Sequence, residues 1–292
     1  MKKLIPKFTI FFLFIMLLLN RSDVKLSVIN GFTIWVEQLL PALFPFFVFS
    51  DMFISIGIAD DLCKRIGPLF ARIFNTSKYS FFIFFISLVS GSPTNAKNIK
   101  NMLDNGYILK DEAEKILCFS CFFNPFLIYS ITNLYLNKTD SIKIIIITYL
   151  TNIILGLVLR FKKIKINHLV KIKENNITLI SSIKNNIMSL ISILGTIITM
   201  LVLSTLIKTN NLYLNNIFNG LLEITTGLIN LSVLNFSYNI KLILTLIYLS
   251  FGGLSIHMQI KSILKDVVSY KLFYITRIFA IIISLLLWFI IT

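Results

Sequence analysis

Apolar runs near span length follow one another along the chain, separated by short polar interruptions. Leu4 to Leu19 is the first and Leu39 to Ile58 the second. Ile142 to Leu159, Ile187 to Ile207 and Phe273 to Ile291 complete the long ones. Two shorter runs, Tyr79 to Val89 and Ile240 to Ser250, end in polar breaks centred on Gly91 and on Gly252-Gly253. Elsewhere the pattern is amphipathic. Asp60 to Phe74 sets Asp60, Asp61, Lys64, Arg65 and Arg72 against Leu62, Ile66, Leu69, Phe70 and Ile73, which predicts a helix along the membrane surface. Val24 to Leu40, with Trp35, Glu37 and Gln38 among apolar residues, reads as an interfacial helix leading into the second run. Pro41 and Pro45 fall in the first turns of that run, where a missing N–H does least harm.

The run Ser90-Gly91-Ser92-Pro93-Thr94-Asn95-Ala96-Lys97 organises the rest. A Gly and a Pro two residues apart stop a helix. Unpaired backbone in hydrocarbon costs several kcal/mol per group, so irregular chain survives there only when buried in protein or lining a cavity. A second interruption at Asn124-Pro125 predicts a re-entrant element between the two. The halves then read alike: span, amphipathic segment, short apolar run, Gly-centred break, helix, span. Gly67 precedes Gly91 by 24 residues and Gly227 precedes Gly253 by 26. Such paired, Gly-interrupted segments in matching positions point to a transporter site at the midplane. The expected fold is an all-α polytopic membrane protein, with about seven to eight membrane helices. Its two repeat-like halves, each with a broken or re-entrant Gly-containing segment, are 1–159 and 186–292, joined by a basic loop, 160–185, within a single membrane domain, 1–292.

Composition agrees. The chain is 56% hydrophobic with mean hydropathy +0.84, against roughly 45–50% apolar in soluble domains. Its net charge of +15 sits in short loops, where it sets orientation and does not argue for nucleic acid. Arg160, Lys162, Lys163, Lys165, Lys171, Lys173 and Lys184 oppose only Glu174, so this loop is expected in the cytoplasm, together with Lys2, Lys3 and Lys7. Leu4–Leu19, Leu39–Ile58, the Tyr79 element and Ile142–Leu159 supply the even number of crossings this requires. The first run imitates a signal peptide. It leads into Asn20-Arg21-Ser22-Asp23 in place of small residues, so it is expected to be a retained span. Cys118 and Cys121 form a lone C-x-x-C and read as small apolar residues one turn apart. Asp51 sits in the middle of an apolar run, facing either a polar partner or the bundle interior. No H-E-x-x-H, G-x-S-x-G or Walker loop is present, so neither enzymatic activity nor a cofactor or metal is expected.

Several stretches resemble the YlbJ-type sporulation integral membrane proteins of the nucleoside-recognition (Gate) group. They are Trp35 with Leu40-Pro41-Ala42-Leu43-Phe44-Pro45-Phe46-Phe47, the Ser90 to Lys97 run, Gly106 with Glu112-Ala113-Glu114, Glu223-Ile224-Thr225-Thr226-Gly227, and Phe251 to Gln259. The resemblance runs from about Gly31 to Phe279, with a Gate-like portion at 39–136. It implies a multi-pass bacterial membrane protein of spore development that moves dipicolinate across the outer forespore membrane. A nucleoside-like solute is the alternative, and a non-transporting scaffold of envelope remodelling the rival. Homo-oligomerisation stays open.

A carboxylate-bearing solute suits a broken helix, whose following half offers free N–H groups and a positive dipole end. Lys97 would supply a formal charge, with Glu223 as its counter-charge when no solute is bound. Thr94, Asn95, Thr226 and Gln259 would orient carboxylates, and His257 would couple transport to protons. The substrate-binding set is completed by Ser90, Gly91, Pro93, Asn124, Thr225, Gly227 and Gly253.

Overall fold

A computed structural model of the chain describes residues 4–166, 178–207 and 209–291, and among these there is no strand. Lys2, Lys3, Lys171, Lys173 and Glu174 lie outside the described residues. Helix α1 (Leu4–Leu19) is followed by α2 (Arg21–Ile34), which passes through a π turn, Trp35–Leu39, into α3 (Leu40–Ser55). Pro41 cannot donate to Glu37, and the adjacent Leu40 N–H bonds Trp35 O five residues back. The widened turn thus absorbs the proline without stopping the helix. Val24 to Leu40 is therefore no separate interfacial helix but the first part of a 35-residue rod, Arg21–Ser55.

Helices α4 (Ile58–Arg65) and α5 (Gly67–Phe74) follow, burying Ala59, Cys63, Phe70 and Phe74 and exposing Asp61, Lys64, Arg65 and Arg72. Next, α6 (Ser80–Ser90) and α7 (Thr94–Asp104) fold back on one another. The rings of Tyr79 and Tyr107, just outside the two ends, lie 4.7 Å apart and close the base of this hairpin. Then α8 (Lys110–Phe119) and α9 (Pro125–Thr132) form a helix interrupted over 120–124, and α10 (Lys138–Leu159) returns.

After α11 (Leu179–Leu206) the same order recurs. Helices α12 (Leu212–Leu222) and α13 (Ile224–Val233) form a second hairpin, its base closed by Tyr213 and Phe236 with ring centroids 4.7 Å apart. A Cβ placed on Gly227 would fall on Gly220 Cα, nearer than real Cβ atoms come, so two glycines let the arms touch. Helices α14 (Tyr238–Phe251) and α15 (Gly253–Leu264) form a second interrupted helix, and α16 (Lys271–Ile291) is the last.

Three contacts gather the ends on one face: Asn75 Nδ2 to Arg160 O (3.1 Å), Lys115 Nζ to Lys162 O (3.3 Å) and Ser269 N to Glu114 Oε1 (2.8 Å). On the opposite face, Tyr238 Oη donates to Asp140 Oδ2 (2.5 Å) and accepts from Asn137 N (3.3 Å). The first hairpin therefore enters from the Arg160 face and the second from the Asp140 face. The two halves are oppositely oriented. In the first half the crossing is made by α8–α9, and the Tyr79 element turns back at its tip.

Among the described residues, five helices are long and apolar enough to cross a membrane: Arg21–Ser55, Lys138–Leu159, Leu179–Leu206, Tyr238–Val267 and Lys271–Ile291. Ser80–Ser90 and Ile224–Val233 are shorter apolar arms, one in each hairpin. The chain is an all-α polytopic membrane protein. By element order the counterpart of the Gly91 tip is Glu223, and that of the Gly252 break is 120–124, so the halves align one element away from the Gly91-to-Gly253 pairing.

Candidate functional site

Each hairpin tip docks on the break of the interrupted helix in its own half. In the first, Ser92 N donates to Phe122 O (2.7 Å), and a Cβ on Gly91 would lie 2.5 Å from Asn124 N. Gly91 has φ +82° and ψ −177°, a region essentially closed to other residues, so both space and backbone call for glycine here. In the second, a Cβ on Gly253 would lie 3.2 Å from Ile224 N, at the Glu223 turn. The halves meet at Phe123, whose ring is within van der Waals reach (3.9 Å) of a Cβ on Gly252. Both tips, the first break and the start of α15 line one cavity of about 30 Å³, walled by Ser90, Ser92, Asn124, Glu223, Thr225 and Gln259 with Leu39, Ala42, Leu43 and Ile256. It has room for about two waters. The hairpins must part for a larger guest.

Four half-helices, α7, α9, α13 and α15, begin at this junction, and α6, α8, α12 and α14 end there. Side chains satisfy the carbonyl ends of α6, α8 and α14. Tyr149 Oη donates to Leu88 O (2.8 Å) and Phe123 O (3.1 Å), Asn152 Nδ2 to Cys121 O (3.2 Å), and Arg277 Nη2 to Cys118 O (2.5 Å). His257 Nε2 sits 2.8 Å from Phe251 O. The amide ends differ. Asn124 Oδ1 caps α9 through Phe126 N (2.9 Å), and Glu223 Oε2 caps α13 through Thr226 N (2.7 Å). Helices α7 and α15 carry no side-chain cap, and they pack on each other. Their first two turns hold Thr94, Asn95 and Asn98, and Ser255 and Gln259, all buried. Thr94 Oγ1, Ser255 Oγ, Gln259 Oε1 and both polar atoms of Asn95 and Asn98 have no hydrogen-bond partner among the described residues. Each such buried group costs about 1–3 kcal/mol, which marks a polar site in place of ordinary packing.

The expected site residues divide accordingly. Ser90, Gly91, Asn124, Glu223, Thr225, Gly253 and Gln259 meet at the junction, and Thr94 and Asn95 open α7 beside it, where Pro93 is the N-cap residue. Thr226 faces a neighbouring groove, and Gly227 serves hairpin closure. Lys97 points elsewhere. Its Nζ lies 2.7 Å from Asp51 Oδ1 and 2.5 Å from Phe47 O. Asp51, not Glu223, is therefore its counter-charge, because Glu223 is turned inward as the cap of α13. His257 packs among Phe251, Phe273 and Tyr274, its ring stacked on that of Tyr274 at 5.5 Å, and it carries a carbonyl of the α14 break. Arg277 and Asn98 were not anticipated. The signal for Arg277 was an arginine inside an apolar span, where a charge is costly without a task.

Comparison with known proteins bears on this arrangement. The chain is 24% identical, over an alignment of 310 positions that covers 89% of its own length and 76% of the relative's, to the "Sporulation integral membrane protein YlbJ" of Bacillus subtilis (strain 168). The resemblance to the YlbJ-type family holds. Aligned over most of both chains, the YlbJ relative is likewise described as an integral membrane protein, in keeping with the apolar helices here. No protein-family model and no solved structure matches the chain.

Proposed function

We propose that this protein is a secondary carrier or gated pore for a small carboxylate-bearing solute of the dipicolinate kind, acting in spore formation. The observation that carries the reading is the unequal treatment of helix ends at the junction. The carbonyl ends of α6, α8 and α14 are covered by Tyr149, Asn152, Arg277 and His257, whereas the amide ends of α7 and α15 are left to Thr94, Asn95, Asn98, Ser255 and Gln259. Free N–H groups and a positive dipole end receive carboxylates without a basic side chain. Buried amides and hydroxyls then fix the solute's orientation. Without a nucleotide-binding motif, movement is passive or driven by an ion gradient. The Arg160 face, with its basic loop, is the cytoplasmic one.

The test is uptake by proteoliposomes across dipicolinate, nucleosides and small dicarboxylates. Wild-type protein is expected to move dipicolinate, and Asn95→Leu with Gln259→Leu to lose that flux while inserting normally. Uptake of nucleosides alone would replace the carboxylate. Absence of flux for every solute, with correctly inserted protein, would leave a scaffold role in sporulation.

A further inference from the structure

A groove of mixed polar and apolar lining runs down the outside of the second hairpin, between α2, α11, α12 and α13. It comprises two adjoining cavities of about 400 and 510 Å³ that share Ser27, Ser204, Thr205, Asn219 and Asn230. Along α2 and the π turn its wall carries a polar stripe, Asp23, Ser27, Asn30 and Glu37, spaced three to seven residues apart. From Asp23 to Glu37 the stripe covers about 20 Å at 1.5 Å per residue, most of the thickness of a hydrocarbon layer. Lipid-facing helix surfaces do not carry such a stripe, since polar side chains at that depth face protein or water.

The floor of the groove touches the junction. Gln38 and Thr226 line the groove, while their chain neighbours Leu39 and Thr225 line the central cavity. One layer of residues separates the two. The mouth lies towards the Asp140 face, because Asp23 stands at the start of α2 and Ser27 Oγ is 2.5 Å from Thr205 Oγ1 near the end of α11. Towards the Arg160 face α3, α7 and α11 are locked together by Lys97, Asn101, Ser182 and Asn186 on the Asp51 carboxylate.

We propose that this groove is a water-filled vestibule through which small hydrophilic solutes reach the junction from the Asp140 face, with the α12–α13 tip as the last barrier. The inference rests on the transport reading only for what flows; the presence of water in the groove is independent of it. Among the described residues its lining includes the carboxylates Asp23 and Glu37. Selection falls to the amide ends within.

The test is sided modification by a charged, membrane-impermeant maleimide of Asn30→Cys, Asn219→Cys and Asn230→Cys, against the lipid-exposed Ile282→Cys. The native Cys63, Cys118 and Cys121 are at most 2% exposed and give a quiet background. The reacting species is the thiolate, and each pKa unit it is raised in lipid slows reaction about tenfold, so groove positions should react at least about tenfold faster than Ile282→Cys. They should do so from the Asp140 face alone. Rates equal to that of Ile282→Cys, or equal labelling from both faces, would overturn the proposal. Asn219 is bonded to Ser204; should Asn219→Cys fail to fold, the other two positions decide. Labelling without flux would sink the carrier reading and keep the vestibule, and flux without labelling would do the reverse.

Discussion

Lys97 and Asp51 form a buried ion pair, Nζ to Oδ1 at 2.7 Å, with side chains 8% and 7% exposed. The pair fastens the second arm of the first hairpin to α3. Ser182 Oγ and Asn186 Nδ2, at 2.8 and 2.9 Å from Asp51 Oδ2, extend it to α11. Removing one partner of such a pair strands the other charge, at a cost of about 3–5 kcal/mol. Lys97→Met is therefore expected to lower the melting temperature sharply. Lys97→Met with Asp51→Asn, which keeps hydrogen-bonding groups for Ser182 and Asn186, should recover more than half of the loss. A double-mutant cycle on purified protein measures this, and additive losses would contradict the coupling. Exchanging the charges of Lys97 and Glu223 should rescue nothing.

Gly91→Ala should be poorly tolerated, because its Cβ would meet Asn124 N at 2.5 Å and its φ is +82°. The loss expected is about 1–3 kcal/mol, read as a drop in melting temperature. Gly195→Ala is the control. Nothing lies within 4 Å of its Cβ, and it sits inside α11, so it should be neutral or stabilising by up to about 1 kcal/mol.

Asn95→Leu and Gln259→Leu separate binding from folding. Asn95 Nδ2 and Oδ1 and Gln259 Oε1 have no partner among the described residues, so exchanging these side chains for apolar ones of similar size should leave melting temperature unchanged or raised. Solute-induced stabilisation should vanish in the same variants. If stability falls with each substitution and solute stabilisation persists, these groups are structural.

Arg277→Met would leave Cys118 O and Asn152 Oδ1 without their donor at the α8 break. Hydrogen bonds from a charged donor contribute about 1.5–3 kcal/mol, and a loss of that order is expected in thermal unfolding. Unaltered stability would remove Arg277 from its role as cover for that helix end.

The sequence made the membrane class, three of the four interruptions and most junction residues legible, because apolar runs and polar breaks are one-dimensional signals. It misled on which breaks correspond. Glycine marks a turn only where the backbone enters the left-handed region. The second hairpin instead turns on Glu223, in an extended conformation at φ −134°, and the first interrupted helix breaks over 120–124 without any glycine. Matching glycine with glycine therefore slid the halves by one element. The partner of Lys97 was likewise hidden, since Asp51 lies 46 residues away and only the packing of α7 on α3 joins them. The merging of Val24–Leu40 with the second run depended on the π turn, a local adjustment that hydropathy does not register.

The opposed orientation of the halves has a thermodynamic consequence. Each hairpin-and-broken-helix unit occupies an equivalent seat, entered from opposite sides, so whatever distortion distinguishes one unit from the other can in principle be traded between them. The traded form would expose the junction to the Arg160 side using packing of the same kinds.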